Sequence, residues 1–245
     1  LIRKGADLGL RVMALTDHDT VDGNREFLEA GDQAGIRAVP AVEFSVENHG
    51  HLKDIDILVY FPDRANYFRR EPELKEICGR IAAARVERVR KIVGVLSEAG
   101  IRISEEDLIP PDRPPEGIVG RKHVAIAVFA RNRDRFDTQQ QIFDEFLGDG
   151  CPADVPIGFQ LTLSSVPPLA GTLGGKAICG HPGVSNGKVP CRENGLHLID
   201  ACLDAGMAGA EGYYTYHKNR PYLGEHSITP EENLELCREY TRYIR

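Results

Sequence analysis

Three apolar runs each end in residues that could bind a metal ion. The run 11–15 leads into Thr16-Asp17-His18-Asp19. The run 36–42 leads into Glu43-Phe44-Ser45, and the run 174–179 into Gly180-His181-Pro182-Gly183. Short apolar runs of this kind read as buried strands. His18, Glu43 and His181 would then sit at strand ends. Neutral imidazole together with carboxylate suits Mn, Fe or Zn. Each residue also has an ordinary reading: His18 as a hydrogen-bonded polar residue, Glu43 as a cap or solvated acid, His181 as a turn residue. Two features favour a metal centre: all three fall at strand ends, and Asp17 and Asp19 flank His18. Asp17 is a candidate catalytic acid beside His18.

A second set is basic. Gly120-Arg121-Lys122-His123 opens a helical pattern. A helix start offers unpaired N–H groups and the positive end of the helix dipole. Arg121 and His123 make it a candidate phosphate seat, with a solvated helix start as the alternative. Tyr213, Tyr214, Tyr216, His217 and Arg220 could stack on a base or hold an anion, or form a packed wall. His217 is the substrate-binding candidate among them. Arg80, Arg85, Arg88 and Arg90 read as a solvated helix face paired with Glu76 and Glu87. No G-x-G-x-x-G, Walker loop or G-x-S-x-G is present, which sets aside nucleotide-cofactor and serine-hydrolase chemistry as first choices.

The elements that must position these groups alternate. A helix tail over 2–8 precedes the first strand. A helix over 21–34 follows it, then strands over 36–42 and 55–61, with His49, Gly50 and His51 in the turn-rich stretch between them. Strand, helix, strand with polar strand ends is the pattern of an α/β barrel, whose chemistry sits at the C-terminal ends of its strands. Residues 70–155 read as an all-helical insert. It has helices over 71–99, 119–130 and 138–147, a Ser104 helix cap and a loop over 110–115. The α/β pattern resumes with a strand over 174–179, a helix over 194–205, a strand over 209–214 and a helix over 230–243 capped by Thr229 with Pro230 first. The barrel would comprise 1–69 and 156–245.

Composition narrows the field. The chain has 245 residues, 42% hydrophobic and 27% charged, within the range of ordinary globular domains. Its 30 basic and 37 acidic residues give a net charge of −7, which argues against broad binding to nucleic acid or membrane surfaces. No apolar run is long enough to predict a transmembrane helix. The six cysteines form no C-x-x-C and read as free thiols of a reducing, cytoplasmic setting.

Four motifs together resemble the PHP (polymerase and histidinol phosphatase) superfamily. Ala14-Leu15-Thr16-Asp17-His18-Asp19-Thr20-Val21-Asp22-Gly23 is similar to its second motif and Pro40-Ala41-Val42-Glu43-Phe44-Ser45 to its third. Gly120-Arg121-Lys122-His123 resembles a G-R-P-H element, and Gly180-His181-Pro182-Gly183 resembles A-H-P-G. Their order and distances fit across nearly the whole chain. The helical insert resembles the branch of nucleoside 3′,5′-bisphosphate phosphatases and 5′-to-3′ exonucleases.

The resemblance implies a distorted (β/α)7 TIM-like barrel with two or three divalent metal ions, Mn foremost, with Zn, Fe or Mg as alternatives. It implies hydrolysis of phosphate esters of nucleotides or short oligonucleotides by a metal-activated hydroxide, with no membrane and no stable long nucleic acid as partner. His18, Glu43 and His181 match metal ligands, and Arg121 and His123 match the element that faces the substrate phosphate. A ligand His of the family falls within Asp54-Ile55-Asp56-Ile57-Leu58, where Asp56 takes its place as an oxygen ligand. The family's H-x-H strand and its S-D-x-H-G strand have no match, so the sequence reads as a fragment lacking the first and last barrel strands. Two other readings stand beside this one: a small-metabolite phosphatase of the histidinol-phosphate type, and an incomplete, non-catalytic barrel.

Overall fold

The structure is a computed structural model and describes residues 1–109, 119–184, 191–218 and 228–244. Two compact units emerge, one formed by Leu1–Glu76 with Leu161–Arg245, the other by Ile77–Gln160.

The first unit is mixed α/β. Helix α1 (Ile2–Asp7) leads to strand β1 (Val12–Leu15), helix α2 (Asn24–Ala34) and strand β2 (Arg37–Val46). Strand β3 (Ile55–Tyr60), helix α6 (Val166–Thr172) and strand β4 (Lys176–Cys179) complete a four-stranded sheet of order β1-β2-β3-β4. The crossover through α2 makes β1 and β2 parallel. Gly35 ends α2 in the left-handed conformation that a helix stop favours. Residues 47–54 are too few for a helical crossover, so β3 returns antiparallel to β2, and β4 pairs antiparallel with β3. The strand–helix alternation of a barrel therefore holds for β1-α2-β2 and stops there. Among the described residues the sheet is open.

Strand β2 runs further than its apolar run suggested, through Glu43-Phe44-Ser45 to Val46. It changes partner on the way, with Arg37–Pro40 against β1 and Ala41–Val46 against β3. Pairing on a new side keeps the polar segment extended. Val42, Phe44 and Val46 are buried on one face and Glu43 and Ser45 alternate to the other. The strand expected over 209–214 reduces to one bridge between Cys179 and Ala210, flanked by Gly209 and Gly212, which are poor strand formers. Helix α7 (Arg192–Asp204) packs on helix α8 (Pro230–Tyr243) through Ile199, Leu236 and Tyr240, with Tyr216 between. Thr229 caps α8 as expected, with Pro230 first, and Glu232 closes a capping box with it.

Helix α3 (Arg64–Glu98) begins in the first unit and supplies the second with its later turns. It starts before 71 because Asp63 caps it: the Asp63 carboxylate accepts the Asn66 N–H at 3.0 Å. Val89, Ile92 and Leu96 of α3 pack with Val124 and Val128 of α4 (Arg121–Arg131) and Ile142 of α5 (Gln139–Ile142). Helix α5 widens into a π turn over Phe143–Leu147, and Ser104 caps only a short 3₁₀ turn, Glu105–Asp107. The arginines of α3 form a solvated face only in part: Arg80 and Arg90 are exposed, Arg85 and Arg88 half-buried, and their partners, where they are seen, are not Glu76 and Glu87. The Arg80 guanidinium lies 4.0 Å from the Phe159 ring, Arg88 donates to the Val155 carbonyl at 2.5 Å, and Arg90 pairs with Glu105 at 2.7 Å. Later chain folds back over this face and takes them as partners. The loop expected over 110–115 lies outside the described residues. No helix among the described residues is long and apolar enough to cross a membrane.

Where β1 ends, the buried Asn24 side chain continues its ladder. Its amide donates to the Ala41 carbonyl at 2.8 Å and accepts the Ala41 N–H at 3.3 Å. Asn24→Ala strands both Ala41 groups without partners and costs about 2 to 4 kcal/mol of stability. Urea unfolding checks this; an unchanged midpoint would show that β2 does not need the latch.

Candidate metal centre

The parallel pairing of β1 with β2 extends past β1. The Glu43 N–H donates to the Asp17 carbonyl at 3.1 Å, and the Asp19 N–H donates to the Glu43 carbonyl at 2.8 Å. His18 is thereby set opposite Glu43. Asp19 is buried with φ 50°, a left-handed conformation that Asp tolerates better than most residues, and its carboxylate accepts the Ser45 N–H at 3.2 Å. Asp19 thus shapes the turn that aims His18. Ser45 stands 3.3 Å from His18 Nδ1 and pairs across the ladder with Asp56. The Gly180 N–H donates to the Asp56 carbonyl at 2.9 Å, and a Cβ at Gly180 would come within 2.9 Å of that oxygen. The missing side chain lets the end of β4 close on β3 and delivers His181.

Four predicted ligands are brought together. His18, Glu43 and Asp56 offer ligand atoms all within 4.8 Å of one another. His181 Nε2 lies 2.9 Å from Glu43 and 3.6 Å from Asp56. His18 approaches Glu43 at 3.9 Å and Asp56 at 3.8 Å. The His181, Glu43 and Asp56 side chains are 12 to 16% exposed and His18 is 48% exposed, so the cluster opens to solvent on the His18 side. Two imidazoles with two carboxylates are a donor set suited to Mn, Fe or Zn.

A carboxylate absent from the sequence reading joins them. Glu211 accepts the His181 backbone N–H at 2.7 Å. It follows Ala210, which bridges β4, so the strand-end rule that singled out His18 also finds it. Burial raises the Asp56 carboxyl above its usual range, against the pull of His181 and His18. Burial likewise raises Glu211, against its bond to the His181 N–H. Burial disfavours charge on His181, yet its bond to Glu43 and the nearby Asp56 and Glu211 outweigh that and raise its pKa. Tyr60 is pushed up to about 12 by burial and by Glu211 and Glu43.

The remaining predicted residues lie elsewhere. The Asp17 side chain lines a cavity of about 840 Å³ with Leu1, Ile2, Gly23, Glu26 and Phe27, while its backbone carbonyl supports Glu43. The His217 N–H donates to Asn233 at 3.2 Å, and its Nδ1 is buried without a hydrogen-bond partner among the described residues. Tyr214 and Tyr216 form an aromatic wall, with the Tyr214 ring 5.0 Å from His181. Arg220 lies outside the described residues. Arg121 and His123 stand together in the helical unit. His123 Nδ1 accepts the Gly120 N–H at 3.2 Å and caps α4. Arg121 donates to the Leu147 carbonyl at 3.1 Å and to Asp149 at 3.3 Å. Burial and the adjacent Arg121 lower the pKa of Arg88, so positive charge is crowded there.

No family model matches the chain. A 5′-3′ exoribonuclease of Haemophilus influenzae is 27% identical over 185 residues, 74% of this chain and 62% of that protein. The chain thus spans less than two thirds of the length of this curated relative. An amidohydrolase from Chromobacterium violaceum, solved with sulfate and no metal, is 27% identical with a TM-score of 0.65, over 86% of this chain and 69% of that one. A Bifidobacterium adolescentis protein, provisionally assigned as a metal-dependent phosphoesterase, shares the fold at 20% identity and a TM-score of 0.62, over 99% of this chain and 77% of that one. The chain is thus similar to a group of hydrolases and shares the mixed α/β fold of its two solved members. Within it, the chain resembles phosphoesterases of the PHP type, as its motifs indicate, with the exonuclease-like branch represented by the exoribonuclease.

Asp56, His181 and Glu211 all hold protons more tightly in the folded chain than in the unfolded one. Their stabilising contribution is present at low pH and is lost as pH rises through their folded values. Metal-free protein should therefore lose stability as pH rises from about 4, the usual carboxyl value, past about 6.5, the usual imidazole value. At pH 8, Asp56→Asn should raise the melting temperature of chelator-treated protein and abolish its stabilisation by Mn²⁺. Differential scanning calorimetry reads both; a lower metal-free melting temperature with Mn²⁺ stabilisation intact would refute the assignment.

Proposed function

We propose that this chain forms the metal centre and phosphate seat of a metal-dependent phosphoesterase acting on phosphate esters of nucleotides or short oligonucleotides. The observation that carries this reading is the meeting of His18, Glu43, Asp56 and His181, from four separate backbone segments, in one half-buried cluster. The assignments of the relatives to exoribonuclease and phosphoesterase support the reaction class. The described sheet is taken as part of a distorted (β/α)7 barrel, with 70–155 inserted in it.

His18, Glu43, Asp56 and His181 would hold the divalent ions, two or three in number with Mn first. When bound, such ions supply a Lewis acid that offsets phosphate charge and makes water nucleophilic near neutral pH. The chain's own residues do the rest. Glu211 fixes the His181 backbone and Ser45 steadies the His18 ring. His181 is held by Glu43 and Asp56 and would ligate a divalent ion as the neutral imidazole. Arg121 and His123 hold the substrate phosphate, and Asp17 serves through its backbone carbonyl, which accepts the Glu43 N–H. His217 is a further candidate for a substrate contact.

Phosphate release from a nucleoside 3′,5′-bisphosphate, a short oligonucleotide and histidinol phosphate, with Mn²⁺ present, tests the proposal. The nucleotide substrates should be favoured. Glu43→Gln should lower kcat by about 100-fold or more, and Arg121→Ala should raise KM more than it lowers kcat. Preference for histidinol phosphate would move the reading to the small-metabolite branch. Turnover unaffected by Glu43→Gln would remove the centre from the chemistry.

A further inference from the structure

The His181 imidazole is held from two directions. Its Nε2 lies against Glu43 and Asp56, and its ring meets the Tyr214 ring, centre to centre 5.0 Å with a tilt of 52°. Tyr214 begins a column of three tyrosines. Its ring centre lies 4.9 Å from that of Tyr216, which lies 6.3 Å from that of Tyr240. Tyr216 and Tyr240 are fully buried, in the core that α7 and α8 share. The Tyr240 hydroxyl donates to the Cys191 carbonyl at 3.3 Å, just ahead of α7. The Gly183 N–H donates to the Tyr216 hydroxyl at 3.2 Å, two residues beyond His181. Two glycines make room for the column. A Cβ at Gly183 would come within 2.9 Å of the Tyr216 ring, and one at Gly195 would overlap the Tyr240 phenol. Tyr214 is itself fixed at the backbone by α8. The Asn233 amide donates to its carbonyl at 3.0 Å, and Cys237 Sγ accepts its N–H at 3.5 Å. Packing thus runs unbroken from α7 and α8 to one ligand of the candidate centre.

We propose that Tyr214 is a positioning residue for the centre: its ring sets the tilt of the His181 imidazole, and so aims Nε2 at the place where Glu43 and Asp56 converge. The inference rests on the reading of His181 as a metal ligand. An ion bonds an imidazole nitrogen along its lone pair, in the plane of the ring, so the tilt decides whether His181 and the carboxylates can meet on one ion. A ligating imidazole is usually oriented by a hydrogen bond from its other nitrogen. Among the described residues the His181 Nδ1 makes no such bond, and the Tyr214 ring stands where it can take over the task. Packing alone would accept any apolar side chain of similar bulk. An aromatic face does more, because it attracts positive charge within about 6 Å of its centre. An imidazole bound to a divalent ion carries part of that charge, so the contact strengthens as the ion binds and contributes to affinity as well as to the fold.

Mn²⁺ titration of the whole chain by calorimetry, with NMR of the metal-free histidine rings, tests it. Tyr214→Phe keeps the ring and should bind Mn²⁺ as the wild type does. Tyr214→Leu keeps only the bulk and should bind Mn²⁺ about three to ten times more weakly, the scale of one aromatic contact. The His181 ring protons should resonate at the same place in wild type and Tyr214→Phe, displaced by the ring current from their place in Tyr214→Leu. In the wild-type chain, a readout that needs no variant to fold, nuclear Overhauser contacts should join the His181 and Tyr214 rings both before and after addition of diamagnetic Zn²⁺. Full Mn²⁺ affinity in Tyr214→Leu, an equal loss in Tyr214→Phe, or ring contacts that vanish when Zn²⁺ is added would overturn the proposal. A wild-type chain that binds no Mn²⁺ would refute the metal centre itself, and the role of Tyr214 with it, while leaving the metal-free ring contacts in place.

Discussion

Three carboxyl groups and two imidazoles are crowded into one half-buried place, and that concentration of charge is the constraint around which the α/β unit is arranged. Glu43, Asp56 and Glu211 would repel one another there if all were ionised without a counter-charge. Burial answers in part by pushing Asp56 and Glu211 towards their protonated forms. His181 answers with its raised pKa, within 2.9 Å of Glu43 and 3.6 Å of Asp56. Without a cation, a cluster of this kind is held together by protons. Its polar groups are imposed by the backbone, since neither core packing nor helix capping requires them.

The sheet meets this constraint through one strand. Because β2 pairs with β1 over its first residues and with β3 over its last, Glu43 faces residues from both neighbours. Asn24 bridges the point of exchange, and Asp19 bends the chain so that His18 reaches the cluster. The absence of a side chain at Gly180 lets β4 approach Asp56 closely enough to add His181. Each device is local, and each acts within two residues of a candidate ligand.

Much of this was legible in the sequence. Apolar runs ending in His18, Glu43 and His181 marked their strands, and the motif resemblance added Asp56. The open segment came where the signals were weaker. Glu211 escaped notice because a strand read over 209–214 puts it mid-strand, whereas the pairing stops at Ala210 and leaves Glu211 at the end. The start of α3 escaped because the Asp63 cap precedes a stretch containing Pro72, which suggests a break. Strand direction was also hidden: alternation of strand with helix implies parallel pairing, and only the length of the 47–54 connection dictates an antiparallel return. Arg88 looked as solvated as Arg80 and Arg90 because its partner, the Val155 carbonyl, lies far along the chain.

The central claim is that His18 and His181 share one cation-binding centre with Glu43 and Asp56. Its most direct test is proton NMR of the eight histidine rings during substoichiometric addition of paramagnetic Mn²⁺ to metal-free protein. The His18 and His181 ring lines should broaden first and together, ahead of the other six. Broadening that begins at other histidines, or that reaches His18 without His181, would contradict it.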